Sequence, residues 1–373
     1  MIGFGLYVHW PFCQAKCPYC DFNSHVANDV DQDDWANALC SEIERAAKEL
    51  PDKTLNSIFF GGGTPSLMAP GTVGKIISSA HAAWGWSNDV EITLEANPTS
   101  VEAAKFEGFH AAGVNRVSIG IQALNDNDLK ALGRLHTAQE ARTAFDTARA
   151  IFDRVSFDLI YARQNQSLAM WEAELNEALS MAADHLSLYQ LTIEDGTAFG
   201  DRYAKGMLKG LPDEDLASDM FELTQELTSN AGMPAYEISN HAVAGSESRH
   251  NLIYWRSHDW IGVGPGAHGR FTKDCLRIST ETHLNPKHWL DAVLMDGSGE
   301  SARSVIPSGT FNEEVLMMGL RLEEGIPLRK VASYGYGINE LAKEGYLVIT
   351  NDRVKTSAKG KLVLNAILRV LVA

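Results

Sequence analysis

The chain has 373 residues, of which 45% are hydrophobic and 21% are charged, a composition typical of globular proteins. Its formal net charge of -16 argues against a nucleic-acid partner, because neutralising phosphates requires clustered lysine and arginine. The length exceeds the ~250–300 residues at which a single core stops growing, and no apolar run reaches the ~20 residues that span a bilayer.

Short β-rich runs alternate with helical patterns over about the first 240 residues. The sequence predicts helices from Asp33, over 73–84, over 101–112 and over 168–181. It predicts strands over 6–10, 57–60, 90–94, 116–121, 156–161, 185–191 and 235–239. Such alternation indicates an α/β protein with a parallel sheet, and six or more units can curl into a full or partial barrel. The functional residues should then lie at the carboxyl ends of the strands.

The pattern changes after about residue 290. A turn-rich segment at 296–301 precedes a predicted helix over 312–322, short helices over 331–334 and 338–343, and a hairpin formed by 347–349 and 353–355. A final helix should run from Ser357. We therefore predict a large domain over 1–290 and a small C-terminal α+β, winged-helix-like domain over 300–373. By composition the small domain could bind nucleic acid or cover an open barrel edge, and the overall acidity favours covering or partner contact.

Three cysteines, Cys13, Cys17 and Cys20, lie within eight residues in the spacing Cys-x3-Cys-x2-Cys. Three thiolates are one fewer than a cubane iron–sulfur cluster needs, so the loop predicts a cluster with one iron open to a ligand. The alternative is a structural zinc site completed by His9 or His25. Zinc motifs usually come as two spaced pairs, and this chain has one tight triplet, which favours the cluster.

The segment Gly61-Gly62-Gly63-Thr64-Pro65 follows the second predicted strand, and Glu95 ends the third. Glycines at a strand end allow close approach of the backbone to a ligand, although a tight strand-to-helix turn explains them equally well. The Glu95 carboxylate could accept hydrogen bonds from an ammonium group or from hydroxyls, or it could cap the next helix. Together with the cysteine loop, these residues predict a site for a small amino-acid-like or nucleoside ligand.

The motifs together resemble the oxygen-independent coproporphyrinogen III oxidase-like radical SAM proteins, and the resemblance covers essentially the whole chain. The matching segments are Tyr7-x-His9-x-Pro11-Phe12-Cys13-x3-Cys17-x2-Cys20, Gly61-Gly62-Gly63-Thr64-Pro65, Glu95-x-Asn97-Pro98, Ser118-x-Gly120-x-Gln122 and Asp158-Leu159-Ile160-Tyr161.

The resemblance implies a partial (β/α)6 barrel that holds a [4Fe-4S] cluster on Cys13, Cys17 and Cys20, with S-adenosylmethionine (SAM) on the fourth iron. It implies that SAM is held by Gly62, Gly63, Thr64 and Glu95, within a pocket completed by Tyr7, Tyr19, Gln122, Arg134 and Asp158. The glycine-rich segment 262–269 resembles a family loop near SAM, so His268 is expected to approach SAM through its backbone.

This family has two branches, an oxidase and a haem chaperone, and three features resemble the chaperone branch. Phe22 stands where the oxidases carry a further cysteine, and only five residues precede the first predicted strand, where the oxidases have a longer extension. In addition, His250-Asn251-Leu252-Ile253-Tyr254-Trp255 matches the His-Asn-x-x-Tyr-Trp motif of that branch. Taken alone, these six residues favour core aromatics and a capped turn. The resemblance instead implies a haem site, with His250 as candidate ligand of the haem iron.

The resemblance thus implies a haem chaperone that delivers haem to membrane-associated acceptors such as respiratory enzymes, with homodimerisation left open. The alternatives are an oxygen-independent coproporphyrinogen III dehydrogenase and, less favoured, a radical SAM enzyme with an unrelated substrate. The N-terminus has no signal-peptide pattern, so we expect a cytoplasmic protein, with a peripheral position at the inner membrane face left open. One departure from the family is Arg163-Gln164-Asn165-Gln166 in place of Leu-Pro-x-Gln, which we expect to alter the SAM pocket.

Overall fold

The computed structural model describes residues 3–27, 29–182 and 184–372. The strands are β1 (Phe4–Trp10), β2 (Phe12–Cys13), β3 (His25–Val26), β4 (Thr54–Gly62), β5 (Gly85–Ala96), β6 (Arg116–Gln122), β7 (Arg154–Tyr161), β8 (His185–Gln190), β9 (Asn240–Ala242), β10 (Asp259–Val263), β11 (His268–Lys273), β12 (Leu276–Thr282), β13 (Glu300–Val305), β14 (Ile326–Pro327), β15 (Leu347–Thr350) and β16 (Arg353–Thr356).

The helices alternate with these strands in the first part of the chain and predominate in the last. They are α1 (Gln32–Glu49), α2 (Pro70–Ala83), α3 (Ser100–Ala103), α4 (Phe106–Ala111), α5 (Asp126–Ala131), α6 (Ala138–Ile151), α7 (Leu168–Met181), α8 (Ala198–Ala204), α9 (Glu214–Asn230), α10 (Arg249–Trp255), α11 (Pro286–Asp296), α12 (Ser308–Gly319), α13 (Gly335–Lys343), α14 (Ala358–Leu362) and α15 (Leu364–Val372). Single 3-10 turns occur at Pro65–Leu67, Leu328–Lys330 and Ala332–Tyr334.

The large unit is built on a sheet with the strand order β13-β12-β11-β10-β1-β4-β5-β6-β7-β8-β9. From β10 through β1 to β8 the neighbouring strands are parallel, whereas β9 at one edge and β11 to β13 at the other are antiparallel. The six successive units from β1 to β8 confirm the predicted partial (β/α)6 barrel with an α/β fold. The barrel is extended by a β10–β13 ribbon, which is not among the elements predicted from the sequence.

Strand β1 shows how the sequence separates the two faces of this sheet. Phe4, Leu6, Val8 and Trp10 alternate along β1 and are buried in the main hydrophobic core. Tyr7, between them, points to the opposite face, where it lines an internal cavity. Alternate residues of one strand therefore build the core outside the barrel and a polar wall inside it.

The C-terminal residues form a second core of their own. Strands β14, β16 and β15 make a three-stranded antiparallel sheet. Buried residues of α12, α13 and α15, including Leu316, Ile338 and Leu368, pack together with Val354 of this sheet. The order of helix, strand, helix, hairpin and helix agrees with the predicted α+β, winged-helix-like fold. The strand β13, however, joins the large sheet, so the exact domain boundary near residue 300 stays a prediction.

Two predicted elements are wrong. The helix expected over 101–112 is divided into α3 and α4, and at the division the Lys105 side chain donates to the carbonyl oxygens of Ser66 and Leu67 at 3.0 and 3.2 Å. The strand expected over 235–239 is a turn, in which the Glu237 carboxylate accepts from the Ser239 N–H at 3.1 Å. The strand at this edge is β9, which begins immediately afterwards.

Within the described ranges, no helix is both long and apolar enough to cross a membrane.

Candidate cofactor site

A cavity of about 1010 Å3, open to solvent, lies at the carboxyl ends of the parallel strands. This is the position that the β/α alternation predicts for a functional site. The cavity brings together the three cysteines and eight of the ten residues expected to hold SAM. These are Cys13, Cys17, Cys20, Tyr19, Gly62, Gly63, Thr64, Glu95, Gln122, Arg134 and Asp158.

The cysteine loop is closed at its base by a short parallel pairing of β2 with β3. The His25 N–H donates to the Pro11 carbonyl at 2.7 Å, and the Ala27 N–H donates to the Cys13 carbonyl at 3.3 Å. Cys13, on β2, is buried, whereas Cys17 and Cys20 lie farther out and are partly exposed. The pairing holds both ends of the loop, so the three thiols face one cavity.

A chain of hydrogen bonds connects two of these sulfurs along one wall of the cavity. The Thr64 hydroxyl donates to Cys13 Sγ at 3.5 Å and accepts from Asn97 Nδ2 at 3.2 Å. The Arg134 guanidinium donates to Asn97 Oδ1 at 2.6 Å and to Cys17 Sγ at 3.4 Å. Asn97 is therefore a positioning residue that our list of expected site residues lacked. Its signal was present in the Glu95-x-Asn97-Pro98 motif.

The residues of this cavity fit an iron–sulfur cluster. Burial raises the pKa of the Cys13 and Cys20 thiols, so the thiolate forms need a positive partner, which cluster iron supplies. Hydrogen-bond donors already face two sulfurs, as expected for thiolate ligands. The Arg134 Nε–H is buried and has no partner among the residues that the structure describes. A donor without a partner beside the thiols suits an anionic or polar ligand in the cavity.

The glycines at the end of β4 allow the strand to lie against the β1–β2 connection. Gly62 has a φ of 109°, and a Cβ there would come within 2.6 Å of the His9 ring. A Cβ on Gly63 would come within 2.7 Å of the Phe12 carbonyl oxygen. Both steric limits come from protein atoms, so a tight packing requirement accounts for these two glycines in addition to any contact with SAM.

Two carboxyl groups, Glu95 and Asp158, lie on the inner side of the cavity. Burial and the neighbouring Asp158 raise the pKa of Glu95 to about 8. Burial likewise raises the pKa of Asp158 to about 6, while the Ser187 and Ser118 hydroxyls and nearby Arg116 partly offset the increase. At neutral pH the Glu95 carboxyl is thus mostly protonated in the ligand-free protein, and a cationic ligand would favour its ionised form.

Glu95 and Asp158, together with Ser118, also line a second cavity of about 600 Å3 inside the barrel. Three of the four residues expected to bind haem, His250, Asn251 and Tyr254, lie in its wall, as does Tyr7. The fourth, Trp255, lies at the end of α10 and lines a different cleft. The structure therefore divides the His-Asn-x-x-Tyr-Trp motif between the barrel interior and the outside.

His250 is buried, and both of its ring nitrogens already have partners. Nδ1 lies 2.8 Å from the Ser57 hydroxyl, and Nε2 lies 2.8 Å from the Tyr254 hydroxyl. Burial lowers the pKa of the imidazole to about 3, which keeps the ring neutral. In this arrangement His250 has no nitrogen available to a haem iron, so ligation would require the side chain to leave these partners.

Other predicted residues lie apart from the first cavity. His268 begins β11, and its carbonyl oxygen accepts from the Trp260 indole at 3.0 Å. It does not belong to the described residues that line the cavity. Phe22, in contrast, lies on the cavity rim and is 60% exposed. An apolar side chain therefore stands where a further thiol was expected in an oxidase.

The departure at 163–166 has a structural explanation away from the SAM site. The Arg163 guanidinium is buried and donates to the carboxylates of Asp128 and Glu174, both at 2.6 Å. Gln166 Nε2 donates to Glu174 at 3.2 Å, and Glu174 also accepts from the Leu124 N–H at 2.7 Å. These contacts tie the loop after β7 to α5 and α7. Neither Arg163 nor Gln166 is among the described residues lining the first cavity, so the expected change in the SAM pocket is not seen in its lining.

We expect the Arg134→Gln variant to lower the midpoint potential of the cluster. Removing a cation and a donor to Cys17 destabilises the reduced, more negative cluster. The shift should be tens of millivolts, since about 59 mV corresponds to 1.4 kcal/mol for one electron. A potentiometric titration followed by electron paramagnetic resonance measures it. Arg142→Gln, which removes a guanidinium that pairs with Glu177 instead, is the control and should leave the potential unchanged.

The buried neutral His250 makes a pH prediction with a definite sign. The imidazole titrates near 6.5 when unfolded and near 3 when folded, so between these values the unfolded chain binds more protons. Stability should therefore fall as the pH drops below about 6.5, and it should fall less steeply in His250→Gln. Urea unfolding of the apoprotein between pH 5 and 8 measures the difference. Parallel curves for the two proteins would contradict the assigned burial of a neutral ring.

Comparison with known protein families matches residues 7–178 to the Radical SAM superfamily. Among curated proteins, the chain is 36% identical over 379 residues to the Heme chaperone HemW of Escherichia coli, covering 99% of this chain and 98% of that protein. It is also 37% identical over 380 residues to the mitochondrial Radical S-adenosyl methionine domain-containing protein 1 of Danio rerio, covering 97% of this chain and 85% of that protein.

Among solved structures, the chain is similar to the coproporphyrinogen III oxidase HemN of Escherichia coli, a Radical SAM enzyme. The TM-score is 0.81 at 20% sequence identity, and the match covers 99% of this chain and 90% of that one. At this identity the likeness shows a shared fold, which includes the C-terminal unit.

Proposed function

The chain belongs to the radical SAM family that includes the haem chaperone HemW, and from this premise we propose that it binds haem and delivers it to acceptor proteins. The observation that carries the proposal is the similarity over 99% of the chain, at 36% identity, to a protein named Heme chaperone HemW. The likeness extends through both the barrel and the C-terminal unit, so it is not limited to the cluster motif that all radical SAM proteins share.

In this proposal Cys13, Cys17 and Cys20 would hold a [4Fe-4S] cluster, and SAM would bind the iron that has no cysteine ligand. When bound, the cluster would supply one-electron reduction chemistry at the SAM sulfonium. The chain positions the ligands: Thr64 and Arg134 donate to two of the sulfurs, and Asn97 holds both donors in register.

The remaining residues of the cavity bind and orient SAM. The pKa of the Glu95 carboxyl is raised to about 8. An approaching ammonium group would lower this pKa, so the carboxyl would lose its proton and become negatively charged. Tyr19, Gln122 and Asp158 line the same cavity and complete the polar pocket. Tyr7 lines the second cavity, and its hydroxyl lies 3.0 Å from His9 Nδ1.

The competing function is oxygen-independent coproporphyrinogen III dehydrogenation. The exposed apolar side chain of Phe22 on the cavity rim favours the chaperone, because it leaves the cluster mouth without the further thiol expected of an oxidase. To separate the two, the anaerobically reconstituted protein is incubated with SAM, a reductant and coproporphyrinogen III. We expect no protoporphyrinogen at a catalytic rate, and its steady formation would overturn the chaperone assignment.

Ligation of the haem iron by His250 remains a specific part of this proposal. It requires the imidazole to break its hydrogen bonds with Ser57 and Tyr254 inside the barrel. A haem titration of His250→Ala against the wild type tests the role through the Soret band. An altered spectrum and weaker binding support ligation, whereas identical spectra and affinities remove His250 as the ligand.

We further propose that the acceptors are membrane-associated proteins such as respiratory enzymes, reached from the cytoplasm, and that transfer can involve a homodimer. Delivery is tested by mixing the haem-loaded chain with a haem-free respiratory subunit and following the Soret band of each separated protein. We expect the rate of haem transfer to the subunit to exceed the rate at which the chain releases haem to albumin, which traps free haem. Transfer at the rate of free dissociation would show that the chain does not deliver haem.

A further inference from the structure

A separate cleft of about 560 Å3 lies where α10 meets the C-terminal unit. Its wall includes Trp255, the residue of the His-Asn-x-x-Tyr-Trp motif that lies outside the barrel. The C-terminal unit contributes the buried Leu322 and Ile326 and the partly exposed Pro327 to its apolar lining. We call this space the cationic cleft.

Four cationic side chains line the cleft, Arg256, Arg329, Lys330 and Arg353, and Glu324 is the one acidic residue among its described lining. Glu324 is already shared by two of them. It pairs with Arg256 at 2.7 Å and with Arg353 at 3.4 Å. A surplus of positive charge thus collects at one place in a chain whose net charge is -16.

Arg329 and Lys330 carry this surplus. Within the described residues, neither of them forms a salt bridge. Partial burial and the adjacent Arg329 and Arg353 lower the pKa of Lys330, which means that the group lacks a compensating negative charge. An anion bound here would relieve this repulsion.

The segment between α10 and β10 adds two polar groups to the cleft. Ser257 has a left-handed backbone, with a φ of 53°, and its buried hydroxyl has no partner among the described residues. His258 accepts from the Gly3 N–H at Nδ1, at 3.1 Å, so the neutral ring carries its proton at Nε2 and is a donor there. Both residues line the cleft and can donate to a ligand. A donor without a partner in a cation-lined cleft is the arrangement that a carboxylate satisfies.

We propose that the cationic cleft binds the carboxylate-bearing edge of haem, with Arg329 and Lys330 as its charge partners. This inference rests on the proposed haem-binding function and names the site within it. The ligand combines a flat apolar body with two carboxylates at one edge. The cleft offers a matching combination, since the partly exposed side chains of Trp255 and Pro327 lie beside the cations Arg329 and Lys330.

The test compares haem with haem dimethyl ester, in which both carboxylates are esterified and uncharged. We expect Arg329→Gln/Lys330→Gln to raise the Kd for haem about tenfold, equivalent to about 1.4 kcal/mol, and to leave the Kd for the dimethyl ester unchanged. The control Lys287→Gln/Lys343→Gln removes the same charge from exposed helices elsewhere and should bind both ligands like the wild type.

Two results would overturn the inference. An unchanged Kd for haem in the double variant would show that Arg329 and Lys330 do not recognise the haem carboxylates. An equal loss for haem and its dimethyl ester would show a structural effect without charge recognition. Neither result is confused with failure of the proposed function, in which the wild type itself would not bind haem saturably.

Discussion

We expect Cys17→Ala to abolish the iron–sulfur cluster, because two remaining thiolates cannot hold a cubane that already has one open iron. Anaerobic reconstitution of the wild type should give about four iron atoms per chain and broad charge-transfer absorption, and the variant should give neither. The loss should extend to SAM, whose binding at the open iron disappears with the cluster. Iron analysis and equilibrium binding of SAM measure the two effects.

Cys40→Ala is the matched control for this loss. Cys40 is buried on α1, its thiol donates to the Lys75 carbonyl at 3.8 Å, and it is not among the described residues that line the cavity. This variant should therefore reconstitute like the wild type. If Cys17→Ala kept a full complement of iron, or if Cys40→Ala lost it, the assignment of the cluster to the cysteine loop between β2 and β3 would be wrong.

We expect Arg163→Met to lower the free energy of unfolding strongly. Arg163 is 4% exposed and neutralises the carboxylates of Asp128 and Glu174. Removing one partner of a buried ion-pair network leaves charge without compensation and typically costs about 3–5 kcal/mol. Urea unfolding of the apoprotein at neutral pH measures the loss. The residues proposed to bind SAM should remain in place in the folded fraction, since Arg163 is not among the described residues that line their cavity.

The matched control is Arg249→Met, which breaks an exposed pair with Asp89. In that pair the Arg249 side chain is 38% exposed and the Asp89 side chain is 67% exposed. Exposed pairs of this kind contribute about 0–1 kcal/mol, because water screens both charges. Equal losses in the two variants would mean that Arg163 acts as a surface residue and that its network is not structural.

The barrel could be predicted because each of its strands carries local information. In β1, apolar residues at alternate positions identify the strand, and the helical spacing that begins near Asp33 identifies α1. The order of strands and helices then fixes a parallel sheet whose carboxyl ends hold the site. The cysteine loop and the glycines after β4 could be assigned to one cavity on this basis alone.

The ribbon of β10 to β13 could not be predicted in the same way. Strand β10 is inserted beside β1 although about 250 residues separate them, so its position depends on long-range pairing such as Leu6 with Ile261. Antiparallel β11 to β13 then extend the sheet from that edge. The segment 262–269, which the sequence analysis placed near SAM, is used largely to join β10 to β11.

His250 shows a second limit of the sequence. A histidine followed by aromatics indicates a haem site when the family is considered, and the alternative was core aromatics with a capped turn. In the structure, His250 is held inside the barrel by hydrogen bonds with Ser57 and Tyr254, whereas Trp255 lines a separate cleft. Which face a seven-residue helix turns inward depends on its neighbours, which the motif does not specify.

The most direct test of the haem-chaperone assignment is an anaerobic titration of the reconstituted wild-type chain with haem. We predict saturable binding of about one haem per chain, with a Soret spectrum distinct from that of free haem and no requirement for SAM cleavage. A linear increase in absorbance without saturation, identical to that of haem added to buffer alone, would contradict this assignment. The chain would then be a radical SAM protein with another role.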